Sequence, residues 1–170
     1  MIRFKKAELL VGSQTAVWLG VDLGEARVGL ALSDPELTLA FPAGNIRVQG
    51  DYFQALDQVE DLIMDKCVSK VVVGHPLLLS GQAGRSAKKA ARWVRALTGR
   101  LQEAAQDSGV APAQLPSVVL RDERLTTVSA HRQLYDARVD GRRHRPVVDQ
   151  QSAVVLLQSA LDDQRADKEC

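Results

Sequence analysis

Alternating apolar and polar positions near the start of the chain predict a group of antiparallel strands. An apolar run covers 16–22, and the alternation from 26 to 33 is typical of a second strand joined to the first by a short turn. A third strand is predicted over 38–48, interrupted by Pro42 and Gly44. Successive strands with such short connections favour antiparallel pairing.

The rest of the chain alternates between helix and strand. Residues 52–67 have helical spacing, and the apolar run over 70–76, which ends in Gly-His-Pro, is typical of a buried parallel strand. The further predicted elements are a helix over 85–106, a strand over 117–123, a helix over 126–138 and a last helix over roughly 150–163. We therefore expect an α/β fold: a five-stranded mixed sheet of three antiparallel strands and then parallel strands, with helices on both faces.

Length and composition indicate one ordinary globular domain. The chain has 170 residues, of which 45% are apolar and 25% charged. We expect a domain over 16–164, preceded by an N-terminal extension over 1–15 and followed by a C-terminal tail over 165–170. No apolar run approaches the roughly 18 residues of a membrane-spanning helix. Cys67 and Cys170 form no disulfide framework, so a cytoplasmic location and no membrane partner are expected.

Acidic residues stand where predicted elements end or begin. Asp22 ends the first strand, Asp122 and Glu123 end the last strand, and Asp149 precedes the last helix. Each has a plain alternative explanation, because aspartate is common in turns and at helix N-caps and because charges at strand ends are often solvated. Together they offer the oxygen ligands that Mg²⁺ or Mn²⁺ requires. One or two such ions could activate water for phosphodiester hydrolysis.

Other polar residues leave their roles open. His75 ends a predicted parallel strand and could face the same site, whereas the three histidines have no zinc-binding spacing. The loop that follows His75 lacks the Gly-Lys-Ser/Thr of a nucleotide-binding loop. Thr126 and Thr127 either begin a helix or present hydroxyls to a phosphate at its N-terminus.

Two basic clusters favour a polyanionic partner although the formal net charge is only +1. The helix predicted over 85–106 carries basic residues of a single sign on one side, whereas solvated helix faces usually mix signs. We expect nucleic acid to contact two sets of residues: Arg85, Lys88, Lys89, Arg92 and Arg95 on this helix, and Arg142, Arg143 and Arg145 in a later basic loop.

Four motifs, in the same order and spacing, resemble those of the YqgF family. They are GVDLGEARVGLALSD, VVVGHPLLLSGQAG, RDERLTT and VDQQSAVVLLQSAL, and the resemblance covers residues 17–163. This family consists of Holliday-junction-resolvase-like or ribosomal-RNA-processing nucleases of bacteria with a ribonuclease-H-like fold. One loop departs from the usual pattern, because His75 replaces a leucine and Leu78-Leu79-Ser80 replace Asn-Met-Asp. Substrate preference at that loop is therefore open.

The resemblance implies an acidic metal site formed by Asp22, Glu123 and Asp149, with Asp122 as a further catalytic candidate. It also implies Mg²⁺- or Mn²⁺-dependent nuclease activity linked to the maturation of precursor 16S ribosomal RNA. Cleavage of branched DNA by a Holliday-junction-type resolvase is the alternative, and it would require a homodimer for symmetric cuts. A monomer is otherwise equally compatible with the sequence.

Two other classes of protein share parts of this pattern. A non-catalytic nucleic-acid-binding module would keep the basic helix but would not need the acids. An actin-like or sugar-kinase-like phosphate binder also carries Asp-x-Gly in its first strand. Such proteins need a second, duplicated domain, for which 170 residues leave no room.

Overall fold

A five-stranded mixed sheet forms the centre of the protein, seen here in a computed structural model. The structure describes residues 16–125 and 145–169, with side chains for 16–124 and 151–168. The strand order is β3-β2-β1-β4-β5, with β1, β2 and β3 antiparallel and with β4 and β5 parallel to β1. The strands are β1 Val17–Leu23, β2 Arg27–Ser33, β3 Ala40–Arg47, β4 Val68–His75 and β5 Ser117–Asp122. This confirms the predicted mixed sheet of three antiparallel strands and two further parallel strands.

Helices cover both faces of the sheet. A short 3-10 turn, Tyr52–Ala55, leads into α1, which spans Leu56–Asp65. The α2 helix spans Arg85–Ser108, and α3 spans Arg145–Glu169. One hydrophobic core forms between the sheet and the α1 and α2 side, and a second core forms between the sheet and α3. None of the described helices is long and apolar enough to cross a membrane.

The α2 helix is anchored by a buried tryptophan that the sequence pattern did not single out. Trp93 is fully buried, and its indole N–H donates a 3.0 Å hydrogen bond to the backbone carbonyl of Tyr52. Ala90 and Leu97 are buried beside it on the same face of the helix. This packing leaves the opposite, basic side of α2 facing outwards.

The last helix is longer than predicted at both ends. It begins at Arg145, which the sequence analysis placed in a basic loop, and Pro146 fits because proline is tolerated in the first turn of a helix. Asp149 therefore lies inside the helix, so the alternative that it is the N-cap is wrong. At its other end the helix continues to Glu169, through most of the segment predicted as a C-terminal tail.

Gly20 sets how closely α3 approaches the sheet. A Cβ atom at Gly20 would lie 2.8 Å from the Cβ of Leu157 and 2.9 Å from the backbone oxygen of Ala153. Only a glycine permits this approach without moving the helix backbone. Two residues earlier in β1, Trp18 packs against Ala160. The helix therefore runs antiparallel to β1, with its N-terminal turns towards the end where β1 finishes.

Two predicted segments cannot be compared with the structure. The extension over 1–15 and the helix predicted over 126–138 lie outside the described residues. The other predicted strands and helices are all found, with ends shifted by a few residues at most apart from the last helix.

Candidate active site

Asp22 is a buried carboxylate on the α3 face of the sheet. It is 3% exposed and lies opposite Gly29 of β2, as the alternation along the strand predicts. The turn that follows is closed by a 2.9 Å hydrogen bond from the Gly24 N–H to the Arg27 carbonyl. This backbone hydrogen bond joins the two strands directly after Asp22.

Glu123 reaches the same face of the sheet from the end of β5. It begins a short 3-10 turn, Glu123–Leu125, and is 7% exposed. Its carboxylate lies over Gly74 of β4, where an added Cβ would stand 2.1 Å from Oε1. Val72, two residues earlier in β4, belongs to the α3-side core, so Gly74 faces the same way. The absence of a side chain at Gly74 is what gives the Glu123 carboxylate its place.

Only β4 separates the strand that carries Asp22 from β5, after which Glu123 follows. Val21 of β1 pairs with Val73 of β4, and the next residues along the two parallel strands are Asp22 and Gly74. The carboxylate over Gly74 therefore lies beside the strand that carries Asp22. Two buried carboxylates at the same end of the sheet supply oxygen ligands of the kind that a hard divalent cation prefers.

Asp149 lies in α3 next to this edge. Ala153 and Leu157, four and eight residues further along the helix, are the residues that contact Gly20. Four residues of helix span about 6 Å, and the two residues from Gly20 to Asp22 span about 6.6 Å of strand. Since Gly20 lies between Ala153 and Leu157 and the two elements are antiparallel, position 149 lies on the helix face that packs on the sheet, towards the end of β1 that carries Asp22. The Asp149 side chain lies outside the description.

Asp122 belongs to a different set of contacts. Its carboxylate accepts hydrogen bonds from the Arg124 guanidinium, the shortest at 2.6 Å, and from the Arg124 backbone N–H at 2.9 Å. These bonds, with the Arg124 side chain contributing most, hold the pKa of Asp122 below its usual value. His75 pairs with Asp122 across β4 and β5, and its charge lowers that pKa further. Asp122 is thus engaged by Arg124, whereas Glu123 occupies the space over Gly74.

We call the end of the sheet that carries Asp22 and Glu123 the acidic edge. The negative charge of Asp22 affects the pKa of the Tyr52 phenol. Burial raises the pKa of Tyr52, and the negative charges of Glu25 and Asp22 raise it further. The Lys89 ammonium lies 5.4 Å from the centre of the Tyr52 ring. Tyr52 is thus affected by acids at the end of β1 and also contacts a basic residue of α2.

The donor set fits a hard divalent cation. Two buried carboxylates, one in β1 and one directly after β5, together with a third acid on the facing helix, supply the oxygen ligands that Mg²⁺ and Mn²⁺ prefer. Among the described side chains, which do not include that of Asp149, no group of three acidic, histidine or cysteine residues is close enough to hold a metal ion. The third ligand of the predicted site is Asp149, and its side chain lies outside the described residues.

The basic side of α2 is confirmed as a solvent-facing surface. Arg85, Lys88, Arg92 and Arg95 are exposed, and Lys89 is partly buried against Tyr52. Among the described residues, none of these five side chains forms an ion pair. Arg100, further along the helix, does pair with the α1 acids Asp57 and Glu60, so it is structural. We call the first five residues the α2 basic surface.

The remaining predicted contacts to nucleic acid cannot be placed. Thr126, Thr127, Arg142 and Arg143 lie outside the described residues, and Arg145 is described only as the first residue of α3.

Gly74 was not identified from the sequence as part of the site. A glycine directly after three valines in a buried strand was the available signal, since glycine in a strand often marks a close approach.

Comparison with known proteins places the chain in a family. A model of the family described as "RuvX: Holliday junction resolvase" matches residues 16–163. A protein of Bifidobacterium adolescentis named "Putative pre-16S rRNA nuclease" is 63% identical over 149 residues, which cover 88% of this chain and 99% of that protein. A protein of the same name from Thermobifida fusca is 42% identical over 163 residues, covering 91% and 92% of the two chains.

Solved structures include a more distant neighbour. RuvC of Thermus thermophilus, in complex with a Holliday junction substrate, is 14% identical with a TM-score of 0.48, and the match covers 88% of this chain and 96% of that one. The family match spans the same motifs that carry the resemblance to YqgF proteins. The chain therefore belongs to the RuvX family, the YqgF family that its motifs resemble.

Proposed function

We propose that this protein is a metal-dependent nuclease that hydrolyses phosphodiester bonds in structured nucleic acid, with precursor 16S ribosomal RNA as its principal substrate. The observation that carries the proposal is the pair of buried carboxylates, Asp22 and Glu123, on one face of the sheet edge beside the N-terminal turns of α3. The names of the two relatives, which match this chain over nearly their whole length, support the RNA substrate.

Asp22, Glu123 and Asp149 would hold one or two Mg²⁺ or Mn²⁺ ions. A divalent ion bound there supplies charge stabilisation and a more acidic bound water. The protein's own contribution is placement, because a strand, a strand end and a helix fix the three acids from different sides. The close packing at Gly20 holds α3 against β1, and the space at Gly74 holds the Glu123 side chain against β4.

The α2 basic surface would bind the phosphate backbone. Contacts of its lysines and arginines with phosphates would orient the substrate and would not select a base sequence. The acids repel the same backbone, and a bound cation removes that repulsion where the scissile phosphate lies. Cleavage of branched DNA remains the second candidate, favoured by the description of the family model.

The first test compares wild type with Asp22→Asn on labelled precursor 16S RNA, single-stranded RNA and a four-way DNA junction. We expect wild type to cleave in Mn²⁺ or Mg²⁺ and not in chelator. Asp22→Asn should lose at least about 100-fold in rate, because a misplaced or missing ligand disturbs the reacting geometry, and should still bind RNA. Cleavage is measured by gel, and binding by fluorescence anisotropy.

Asp107→Asn is the matched control, since Asp107 is an exposed aspartate near the end of α2. It should cleave as wild type does. Binding without metal-dependent cleavage by wild type would instead indicate a non-catalytic nucleic-acid-binding module. Faster cleavage of the junction than of RNA would favour the resolvase.

Gly74→Ala should separate activity from stability. The new Cβ would displace the end of the flexible Glu123 side chain, so we expect a loss of about 100-fold in cleavage rate with little change in the urea midpoint of unfolding. Gly99→Ala, on α2 with open space around the glycine, should retain activity and be slightly stabilised. Full activity in Gly74→Ala would exclude a role for Glu123 at that position.

Neutralising the α2 basic surface should weaken binding in a salt-dependent way. We expect Lys88→Gln, Arg92→Gln and Arg95→Gln together to reduce the slope of log affinity against log salt by about 2 to 3, because each lost phosphate contact removes about 0.7 to 0.9. The control changes exposed Lys66, Arg165 and Lys168 to glutamine, for the same change in net charge. Equal slopes in the two triple variants would contradict a localised surface.

A further inference from the structure

The most exposed large apolar side chain described is at the tip of the loop between β4 and α2. Leu79 is 98% exposed, and its neighbour Leu78 is 52% exposed. Leu78 nevertheless packs against Gly84, where an added Cβ would lie 3.3 Å from its Cδ2. Leu79 makes no comparable contact, so it contributes little to folding through burial.

The loop that carries Leu79 has a defined shape. The Leu78 N–H donates to the Gln82 carbonyl at 3.0 Å, and the Gly81 N–H donates to the Leu78 carbonyl at 2.8 Å. Gly81 has a φ of 83°, a left-handed conformation that favours glycine. These contacts close a small loop from which Leu79 projects.

The loop is also tied to the segment that carries Glu123. Arg124 donates from Nη1 to the Leu78 carbonyl at 3.4 Å and lies against Gly81. Asp122 holds the same guanidinium from the other side. The tip is therefore positioned relative to the Glu123 carboxylate through Arg124, the residue directly after it.

The position of the tip connects the two parts of the proposed site. The loop starts after His75, next to the glycine beneath Glu123, and it ends at Gly84, directly before Arg85 of the α2 basic surface. A nucleic-acid strand with phosphates on that surface and a phosphodiester at the acidic edge would pass along this loop. Leucine is among the apolar side chains that enter nucleic acids between bases and unstack them.

We propose that Leu79 inserts against an unpaired or unstacked base beside the phosphodiester to be cleaved, and so makes the enzyme select substrates with unpaired nucleotides there. This inference rests on the proposed function, since it requires nucleic acid at the acidic edge. A protein partner fits the tip less well, because a stable protein interface needs about 800 Å² on each side. The tip offers two leucines between an acidic edge and a basic surface.

The test measures base unstacking without cleavage. RNA hairpins and DNA duplexes carry 2-aminopurine in a one-nucleotide bulge or at the same position in a fully paired stem, and they are mixed with protein in chelator. We expect wild type to raise the fluorescence of the bulged probes several-fold and Leu79→Ala to abolish that rise. Leu79→Met should retain it, because methionine keeps an apolar side chain of similar size.

Phe41→Ala is the matched control, since Phe41 is a 49% exposed apolar residue on the edge strand β3. It should behave as wild type. In the cleavage assay, the preference for bulged over paired substrate should fall about 10-fold in Leu79→Ala, because the variant loses the contact that Leu79 makes with the unpaired base. Anisotropy at matched protein concentration confirms that all variants bind.

The outcomes distinguish this inference from the proposed function. An unchanged fluorescence rise and an unchanged substrate preference in Leu79→Ala would overturn the inference even if cleavage depends on Asp22 as proposed. Loss of the rise in Leu79→Ala would support it even if Asp22→Asn cleaves at the wild-type rate, because no cleavage occurs in chelator. Failure of wild type to bind either nucleic acid would overturn both.

Discussion

The close packing of α3 on β1 is the contact on which the candidate site depends. Gly20 removes the side chain that would hold the two elements apart, and Ala153 and Leu157 fill the space. The helix therefore lies at a fixed height over the strand and runs antiparallel to it. That geometry places the helix position of Asp149 towards the end of β1 that carries Asp22, although 127 residues separate them in the chain.

A second glycine has the complementary role at the other side of the site. Gly74 leaves room on the sheet surface for the carboxylate of Glu123, which arrives from the end of β5. Both glycines lie on the α3 face, and both are contacted by residues far away in the sequence. The site therefore depends on these two glycines, which leave room for other groups, as much as on the acidic residues. The glycines themselves contribute no side-chain packing.

The charges around this edge are divided between two surfaces. Burial and the charges of Glu25 and Asp22 raise the pKa of Tyr52, while Lys89 lies over its ring and leads to the α2 basic surface. A polyanion is attracted by the helix and repelled by the acids, and under the proposed function a bound cation would lessen that repulsion. Under the proposed function, this division would let the protein bind nucleic acid without metal and cleave it only with metal.

Much of this arrangement could be predicted from the sequence because it depends on local periodicity. The alternation along β1 and β2 places Asp22 beside Gly29 on the correct face, and the single-sign spacing on α2 identifies its exposed side. The start of α3 could not be predicted, because Pro146 is read as a breaker unless it falls in a first turn. The roles of Gly74 and Trp93 also escaped, since each depends on a partner distant in the chain, Glu123 and Tyr52.

The central claim is that acids from β1 and α3 bind the same metal ion, and Mn²⁺ binding measured by electron paramagnetic resonance tests it most directly. Wild type, Asp22→Asn, Asp149→Asn and the double variant would be titrated with Mn²⁺ in the absence of nucleic acid. The account predicts that each single change weakens Mn²⁺ binding at least about 10-fold and that the double change weakens it by less than the product of the two, because the residues share one ion. Wild-type Mn²⁺ affinity in Asp149→Asn would contradict the account.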